Sequence, residues 1–287
     1  MISIVIPAYN EASAIGRTLD EVRAALATDG PSSYEIVVVD DGSSDRTGSV
    51  AAAAGARVIS HPANAGYGRS LKDGIGAAQH ETIVIIDADG TYPATAIPRL
   101  VTDLDRGFDL VVGARTGVRL RDSWLKAPLR RVLTFLVEFT TGREVPDVNS
   151  GLRAFRRSAI MPYFPQLCDT FSFTTSMTLA YLLTGRFVAH VPIDYLERVG
   201  TTKVRLFRDS LRTLQYIVQG IVYYNPVKMF LLLAGGAVAV GLTAALLLAL
   251  AGNGFASFSI AVLAVLTAVL VFALGLVADL LRQILIR

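Results

Sequence analysis

An α/β fold built on a mostly parallel sheet, followed by a pair of membrane-spanning helices, is what the distribution of apolar residues implies. Through residues 1–226, short runs rich in valine and isoleucine alternate with stretches of helical periodicity, as buried parallel strands alternate with the helices that cover them. Beyond that point the pattern changes, and from Val227 to Arg287 the only charged residues are Lys228, Asp279, Arg282 and Arg287. The chain of 287 residues is long enough for a first domain with its own core. The expected divisions are residues 1–200 for the α/β domain, 201–226 for a juxtamembrane segment and 227–287 for the tail.

The first strand is expected over Ile2–Ile6. Ile15, Leu19, Val22 and Leu26 then recur at steps of 4, 3 and 4, the repeat of a helix with one buried face. Ile36–Val39 reads as the second strand, and a second helix follows Asp45, Arg46 and Thr47 and continues through Ala51–Ala54. Ile83–Ile86 and Leu110–Val112 complete the visible strands. Further on, Val204, Leu211, Leu214, Ile217, Val218 and Ile221 recur at near-helical spacing with Arg205, Arg208 and Arg212 among them. This is the pattern of an interfacial amphipathic helix whose cations meet anionic headgroups, or of a helix packed on the soluble domain. Asn225-Pro226 marks its end.

Val227–Ala251 and Phe255–Leu281 each exceed the roughly 20 apolar residues that cross a hydrocarbon core. Gly252, Asn253 and Gly254 leave room only for a tight hairpin, which returns the C-terminus to its starting side. Lys203, Arg205, Arg208 and Arg212 precede the first span and Arg282 and Arg287 follow the second, so the positive-inside rule predicts both termini in the cytoplasm. Met1 to Pro7 has no basic n-region and too short an apolar run for a signal peptide, which fits a cytosolic domain. Cys168 is the only cysteine, so no intrachain disulfide forms and a reducing compartment is compatible. The formal net charge is +3, and the tail carries most of it, so nothing marks the nearly neutral α/β domain for nucleic acid.

Ligands of such folds bind beyond the carboxyl ends of the strands. After the first strand come Pro7, Ala8, Tyr9, Asn10 and Glu11, and after the second Asp40, Asp41, Gly42, Ser43, Ser44 and Asp45. A carboxylate there can accept from a nucleobase imide or a ribose hydroxyl, and Tyr9 can offer a stacking face. The same run reads equally as a helix-capping turn, with Ser44 or Asp45 satisfying open amides. After the third strand, Asp87, Ala88, Asp89 and Gly90 close an apolar run. Two carboxylates in that position repel each other, and they can hold a hard divalent cation, Mg2+ or Mn2+, which keeps diphosphate oxygens as partners. Arg115, Arg119, Arg121, Lys126, Arg130 and Arg131 crowd together with only Asp122 against them. Guanidinium forks suit phosphate oxygens, and the plainer alternative is a solvated basic face. His61, His80 and His190 lack metal-ligand spacing and are expected to be ordinary surface or packing residues.

With these motifs in place, the chain resembles family 2 glycosyltransferases of the GT-A fold. Within them it is similar to the polyprenyl-phosphate sugar synthases, the group of the dolichyl-phosphate mannose synthases and bacterial undecaprenyl-phosphate glycosyltransferases. The likeness rests on IVIPAYNE at Ile4–Glu11, VVVDDGSSDRT at Val37–Thr47, NAGYGRSLKDGI at Asn64–Ile75 and IDADGTYP at Ile86–Pro93. It continues in VGAR ending at Arg115, DVNSGLRAFRR at Asp147–Arg157 and ERVGTTK at Glu197–Lys203. The resemblance implies that Pro7, Tyr9, Glu11, Val39 and Asp41 line a nucleotide pocket, with Asp87, Ala88 and Asp89 at the diphosphate and metal. It implies that Arg115, Arg131, Arg198 and Lys203 bind phosphate groups. Thr91 stands where relatives often carry glutamine, so water or a hydroxyl would complete the metal shell. Arg198 sits one residue closer to its glycine than in the commoner RxxGxSK arrangement.

The implied reaction is an inverting transfer from a UDP- or GDP-linked sugar to a polyprenyl phosphate at the cytoplasmic membrane face. Asp89, Arg115 and Asp147 are the expected catalytic residues, Asp147 as organiser of the acceptor or weak base, with a structural turn role equally open. A polysaccharide-extending membrane transferase would carry QxxRW, whereas the lone Trp124 sits in SWLK. A noncatalytic nucleotide-sugar-binding anchor and transfer to diacylglycerol remain as rival readings. Self-association through the amphipathic and membrane helices is compatible with the resemblance.

Overall fold

The computed structural model describes residues 1–31, 33–116, 127–196 and 206–285, with 127–133, 206–213 and 285 described by backbone alone. It divides into two compact units, Met1–Ile217 and Val218–Arg287. In the first, β1 (Ile2–Ala8), α1 (Ile15–Asp29), β2 (Tyr34–Asp40), α2 (Thr47–Ala53), β3 (Arg57–Ser60), α3 (Tyr67–Ala77) and β4 (Thr82–Ile85) form an alternating half. They are followed by α4 (Ile97–Asp105), β5 (Leu110–Thr116), α5 (Ala127–Thr141), β6 (Arg153–Arg156), a short α6 (Arg157–Ile160), α7 (Phe173–Leu183) and β7 (Val188–Asp194). The helix α8 (Leu206–Tyr224) comes next, and α9 (Pro226–Leu250) and α10 (Gly254–Leu285) complete the chain.

The seven strands form one sheet in the order β3-β2-β1-β4-β6-β5-β7. β1 pairs in parallel with β2 and β4, with Ala8 opposite Asp40 and Val5 opposite Ile85. The chain thus departs in opposite directions on either side of β1, which opens a crevice at the carboxyl ends of β1 and β4. β6 is the exception to the parallel arrangement. It runs antiparallel to both β4 and β5, with Arg153 opposite Ile85 and Val112. Its amino end therefore lies at the edge where β4 and β5 end, and the residues just before it, Asp147–Gly151, are delivered to the crevice.

Burial explains the strand sequences. Ile4, Val5, Ile6, Val37, Val38, Val39, Ile83, Val84 and Ile85 are all fully buried, as expected for strands covered on both faces. The predicted stripe of α1 is correct, since Ile15, Leu19, Val22 and Leu26 all pack in the core. On the other face α3 approaches β1 and β2 so closely that a Cβ on Gly74 would stand 2.5 Å from Val5 Cγ1 and 3.0 Å from Val39 Cγ2.

The second unit is a helical hairpin. Asn225 caps α9, its Oδ1 accepting from the Lys228 N–H at 3.4 Å, and Gly252 turns the chain at φ 79° before α10. The two helices touch at small residues. Gly241 lies against Ala264, and a Cβ on Gly275 would fall 2.5 Å from Phe230 Cβ. Ser257 Oγ adds a bond across the hairpin to the Ala245 carbonyl at 2.7 Å. Both helices are long and apolar enough to cross a membrane. α10 runs past the expected Leu281 because Asp279 bonds Arg282 at 3.0 Å and Gln283 at 2.8 Å, polar contacts that carry the helix through its last turn. Of the amphipathic set before the tail, Ile217 and Ile221 are buried, whereas Val204, Arg205, and the side chains of Arg208, Leu211 and Arg212 lie outside the described residues.

The Gly74 contact makes a direct test of how tightly α3 is seated. Gly74→Ala gains helix propensity, yet overpacking against Val5 and Val39 should outweigh it, with a net loss of about 1–2 kcal/mol in the thermal or urea unfolding of the purified protein. A variant as stable as the parent would contradict the packing described.

Candidate functional site

The ends of β1 and β2 are stitched together by short polar side chains. Asn10 adopts a left-handed backbone, φ 52°. Its N–H donates to Ser43 Oγ at 2.9 Å and its Oδ1 accepts from the Ser44 N–H at 2.8 Å. The Glu11 N–H donates to Thr47 Oγ1 at 2.8 Å, and Asp45 accepts from the amides of Ala12 and Thr47 at 3.2 and 2.9 Å. Part of the DDGSSD run thus does what a capping turn does. Asp41 is different: it is buried, and its carboxylate accepts from the amides of Ala65 at 2.8 Å and Gly66 at 2.9 Å and from His61 Nδ1 at 2.7 Å. Gly42, at φ 70°, lets the Ala63–Asn64 backbone close in, since a Cβ there would stand 2.6 Å from the Ala63 carbonyl carbon. Tyr9 is 37% exposed beside this carboxylate-bearing loop, and Glu11 is half-buried. Pro7 and Val39 are register partners across the β1–β2 ladder and both are buried, so neither exposes a surface.

The acids that follow β4 are oriented by hydroxyl groups. Tyr67 Oη donates to Asp87 Oδ1 at 2.8 Å, and Thr91 donates to Asp89 Oδ1 from its hydroxyl at 2.6 Å and its N–H at 3.1 Å. Burial, reinforced by the Asp87 charge, pushes the Tyr67 phenol well above its ordinary pKa, so it remains a donor. Ala88 is buried in the core, and its carbonyl is tied to Thr18 Oγ1 of α1 at 3.0 Å. Gly151 approaches from the β6 side, where a Cβ would stand 2.5 Å from Asp87 Oδ2, and its N–H donates to Tyr92 Oη at 2.7 Å. The set is wholly oxygen, which fits Mg2+ or Mn2+. Among the described residues no third acid, histidine or cysteine joins Asp87 and Asp89, so substrate oxygens and water would supply the remaining ligands.

Arg115, at the end of β5, and Asp147 form a two-pronged ion pair. Arg115 Nε donates to Asp147 Oδ2 at 2.6 Å and Nη2 to Oδ1 at 2.9 Å, while the Arg115 N–H reaches Oδ2 at 3.2 Å and the Asn149 N–H reaches Oδ1 at 3.1 Å. Burial alone would raise the Asp147 pKa. The Arg115 guanidinium and these two amides outweigh it and hold the carboxyl below its ordinary value. Burial likewise disfavours the Arg115 charge, but Asp147 and the phenols of Tyr92 and Tyr195 overcome it and raise its pKa. Arg115 also lies 5.3 Å over the Tyr195 ring, and Tyr195 meets Tyr92 edge-on at 5.2 Å. Behind this pair Arg153 is completely buried and donates to the Ser150 carbonyl at 2.7 Å, Thr178 Oγ1 at 2.7 Å and the Val148 carbonyl at 2.8 Å. Burial pulls its pKa down to about 10. Its three neutral acceptors fix the turn that presents Asp147 and Gly151.

Tyr9, Glu11, Asp41, Asp87, Ala88, Asp89, Arg115 and Asp147 thus all belong to loops or strand ends at one edge of the sheet. The side chain of Arg131 and residues Arg198 and Lys203 lie outside the described residues, as do Arg119, Arg121, Asp122, Lys126 and the side chain of Arg130. The structure adds Tyr67, Tyr92, Gly151, Arg153, Tyr195 and His61. Tyr67, Tyr92, Gly151 and Arg153 lie inside motifs that are visible in the sequence. His61 lacks metal-ligand spacing in the sequence, yet its ring bridges Asp41 at 2.7 Å and Asp73 at 3.1 Å.

The family described as Glycosyl transferase family 2 matches residues 3–164 of the chain. An undecaprenyl-phosphate 4-deoxy-4-formamido-L-arabinose transferase of Edwardsiella ictaluri (strain 93-146) is 31% identical over 223 residues, covering 72% of this chain and 64% of that protein. The transferase of the same name from Enterobacter sp. (strain 638) is 29% identical over 263 residues, covering 86% and 75%. The chain therefore spans less than two thirds of the first relative's length. Among solved structures, glucosyl-3-phosphoglycerate synthase from Mycobacterium tuberculosis in complex with Mn2+, UDP and glucosyl-3-phosphoglycerate superposes with a TM-score of 0.64 at 24% identity, over 77% of this chain and 79% of that one. The same enzyme with Mg2+ and UDP gives the same score and coverage. That likeness establishes the GT-A architecture.

The ion pair carries a pH signature. Because the folded Asp147 pKa lies below the unfolded value of about 3.9, its stabilisation is complete above that value and is lost as pH falls through the folded pKa. Asp147→Asn should lower the melting temperature clearly at pH 7, and the gap to the parent should close as the pH is brought below about 4. A gap that does not depend on pH would mean that the carboxylate charge is not what Asp147 contributes.

Proposed function

The chain belongs to glycosyl transferase family 2, and from that premise we propose that it moves a sugar from a nucleoside diphosphate donor to a polyprenyl phosphate at a membrane surface. The observation that carries the reading is the convergence of Asp41, the Asp87–Asp89 pair and the Arg115–Asp147 pair at one sheet edge. These are the parts needed to hold a base, a diphosphate and a second phosphate. The named activity of the Edwardsiella and Enterobacter relatives supports undecaprenyl phosphate as the acceptor, and the UDP bound by the mycobacterial synthase supports a uridine donor.

In this reading Tyr9 stacks on the base and Asp41 accepts from its edge. Asp87 and Asp89 would hold Mg2+ or Mn2+, which when bound neutralises the departing diphosphate. The acceptor is a phosphate monoester, whose second pKa of about 6 leaves it largely ionised at neutral pH, so the protein need not remove a proton. Asp147 accordingly works as the anchor that aims Arg115, and its lowered pKa makes it a weak base. Arg115 stays charged and offers its cation to a phosphate oxygen, with Arg131, Arg198 and Lys203 proposed for the same task from their motifs. Catalysis is then alignment and charge stabilisation in a single displacement with inversion. The apolar hairpin suits a lipid-borne acceptor, and the positive-inside pattern supports a cytoplasmic catalytic domain with both termini on that side.

The test is transfer by the purified, detergent-solubilised protein from radiolabelled UDP- and GDP-sugars to undecaprenyl phosphate with Mn2+ or Mg2+. An acid-labile labelled lipid is expected, absent with EDTA and reduced about 10²- to 10³-fold by Asp89→Ala. Nucleotide binding without a lipid product across the panel would instead favour a noncatalytic anchor.

A further inference from the structure

We infer that His61 acts as a base-selecting residue: by filling one oxygen of Asp41 it restricts the site to a nucleobase that offers a single N–H, uracil, over guanine. The inference rests on the proposal that Asp41 meets the donor's base. An ionised carboxylate offers about four acceptor positions, two on each oxygen. Asp41 Oδ1 already accepts from His61 Nδ1 at 2.7 Å and the Ala65 N–H at 2.8 Å, and Oδ2 accepts from the Gly66 N–H at 2.9 Å. One position remains, on Oδ2.

The histidine cannot easily swing away. Its Nε2 meets Asp73 Oδ2 at 3.1 Å, and that same oxygen is held by Arg69 Nε at 2.7 Å. Its own N–H donates to the Asp40 carbonyl at 2.9 Å, and its side chain is 11% accessible. Two carboxylates, one from the end of β2 and one from α3, therefore grip the ring from both sides.

Uracil presents one imide N–H between two carbonyls, which the remaining Oδ2 position satisfies. Guanine presents N1–H and the N2 amino group side by side, a pair that fits both oxygens of an open carboxylate. With Oδ1 saturated, the second guanine donor would be buried without a partner, a loss worth about 5- to 150-fold in affinity. Such discrimination works by withholding an acceptor from the wrong base.

The experiment is calorimetric titration of the full detergent-solubilised chain with UDP and GDP in the presence of Mn2+, for the parent, His61→Leu and His61→Asn. The asparagine amide can donate from near the position of Nδ1, so it should restore the bond to Asp41. The parent is expected to prefer UDP by about tenfold or more, His61→Leu to lose about tenfold of that ratio, and His61→Asn to stay within about threefold of the parent. If His61→Leu does not fold, Asp73→Asn, which releases the far side of the ring, should lower the ratio and replaces it. A parent that favours GDP, or a His61→Leu or Asp73→Asn ratio equal to the parent's, overturns the inference and leaves sugar transfer standing. Binding of neither nucleotide by the parent overturns both.

Discussion

Two acids at the end of the central strand impose the main constraint on this molecule. Asp87 and Asp89 follow β4 where a parallel sheet has no further hydrogen bonds to give, and like charges so close in sequence must be oriented and offset. Tyr67 and Thr91 fix one oxygen of each, while Thr18 anchors the carbonyl of Ala88 between them. The tyrosine that serves Asp87 is a protonated donor at neutral pH, and burial together with the Asp87 charge raises its pKa further. Gly151 has no side chain because there is no space for one beside Asp87 Oδ2. Each of these residues is explained by the same pair of carboxylates and by the cation they are suited to hold.

The topology then supplies what the pair needs. The parallel strands alone bring only the ends of β1, β2, β3, β4, β5 and β7 to that edge. Reversing β6 adds the segment before it, with Asp147, Ser150 and Gly151, to the same edge. Arg153 makes that reversal rigid by giving two donors to the turn and a third to Thr178 of α7, and the cost of burying its charge is visible in its lowered pKa. Arg115 is thereby met by a fixed carboxylate, and two tyrosine rings pack around it. The guanidinium is thus held in one orientation before any ligand is present.

Much of this was legible in the residues. The β1, β2, β4 and β5 runs are uniformly apolar and could be read directly, as could the stripe of α1 and the two helices of the tail. The other three strands were hidden for physical reasons. β3 is a half-exposed edge strand, β6 reads Arg-Ala-Phe-Arg because Arg153 spends its donors on buried hydrogen bonds while Arg156 reaches Thr82 and the exposed Asp105, and β7 is an edge strand carrying His190 and Pro192. The strand-end acids announced the site, whereas its supporting residues did not. His61, Tyr67, Tyr92 and Tyr195 become informative only when the fold brings them to Asp41, Asp87, Gly151 and Arg115, contacts that link residues far apart in the chain. Asp147 shows the limit from the other side: its motif marks it, but its two-pronged pairing with Arg115 is visible only in the fold.

The central claim is that the acids after β4 form a metal and diphosphate site. Anomalous diffraction at the manganese edge from crystals grown with Mn2+ and a nucleoside diphosphate tests it most directly. The account predicts one strong peak bonded to carboxylate oxygens of Asp87 and Asp89 and to the diphosphate, about 2.0–2.3 Å from each. A nucleotide bound at this edge with manganese elsewhere, or with no manganese at all, would contradict it.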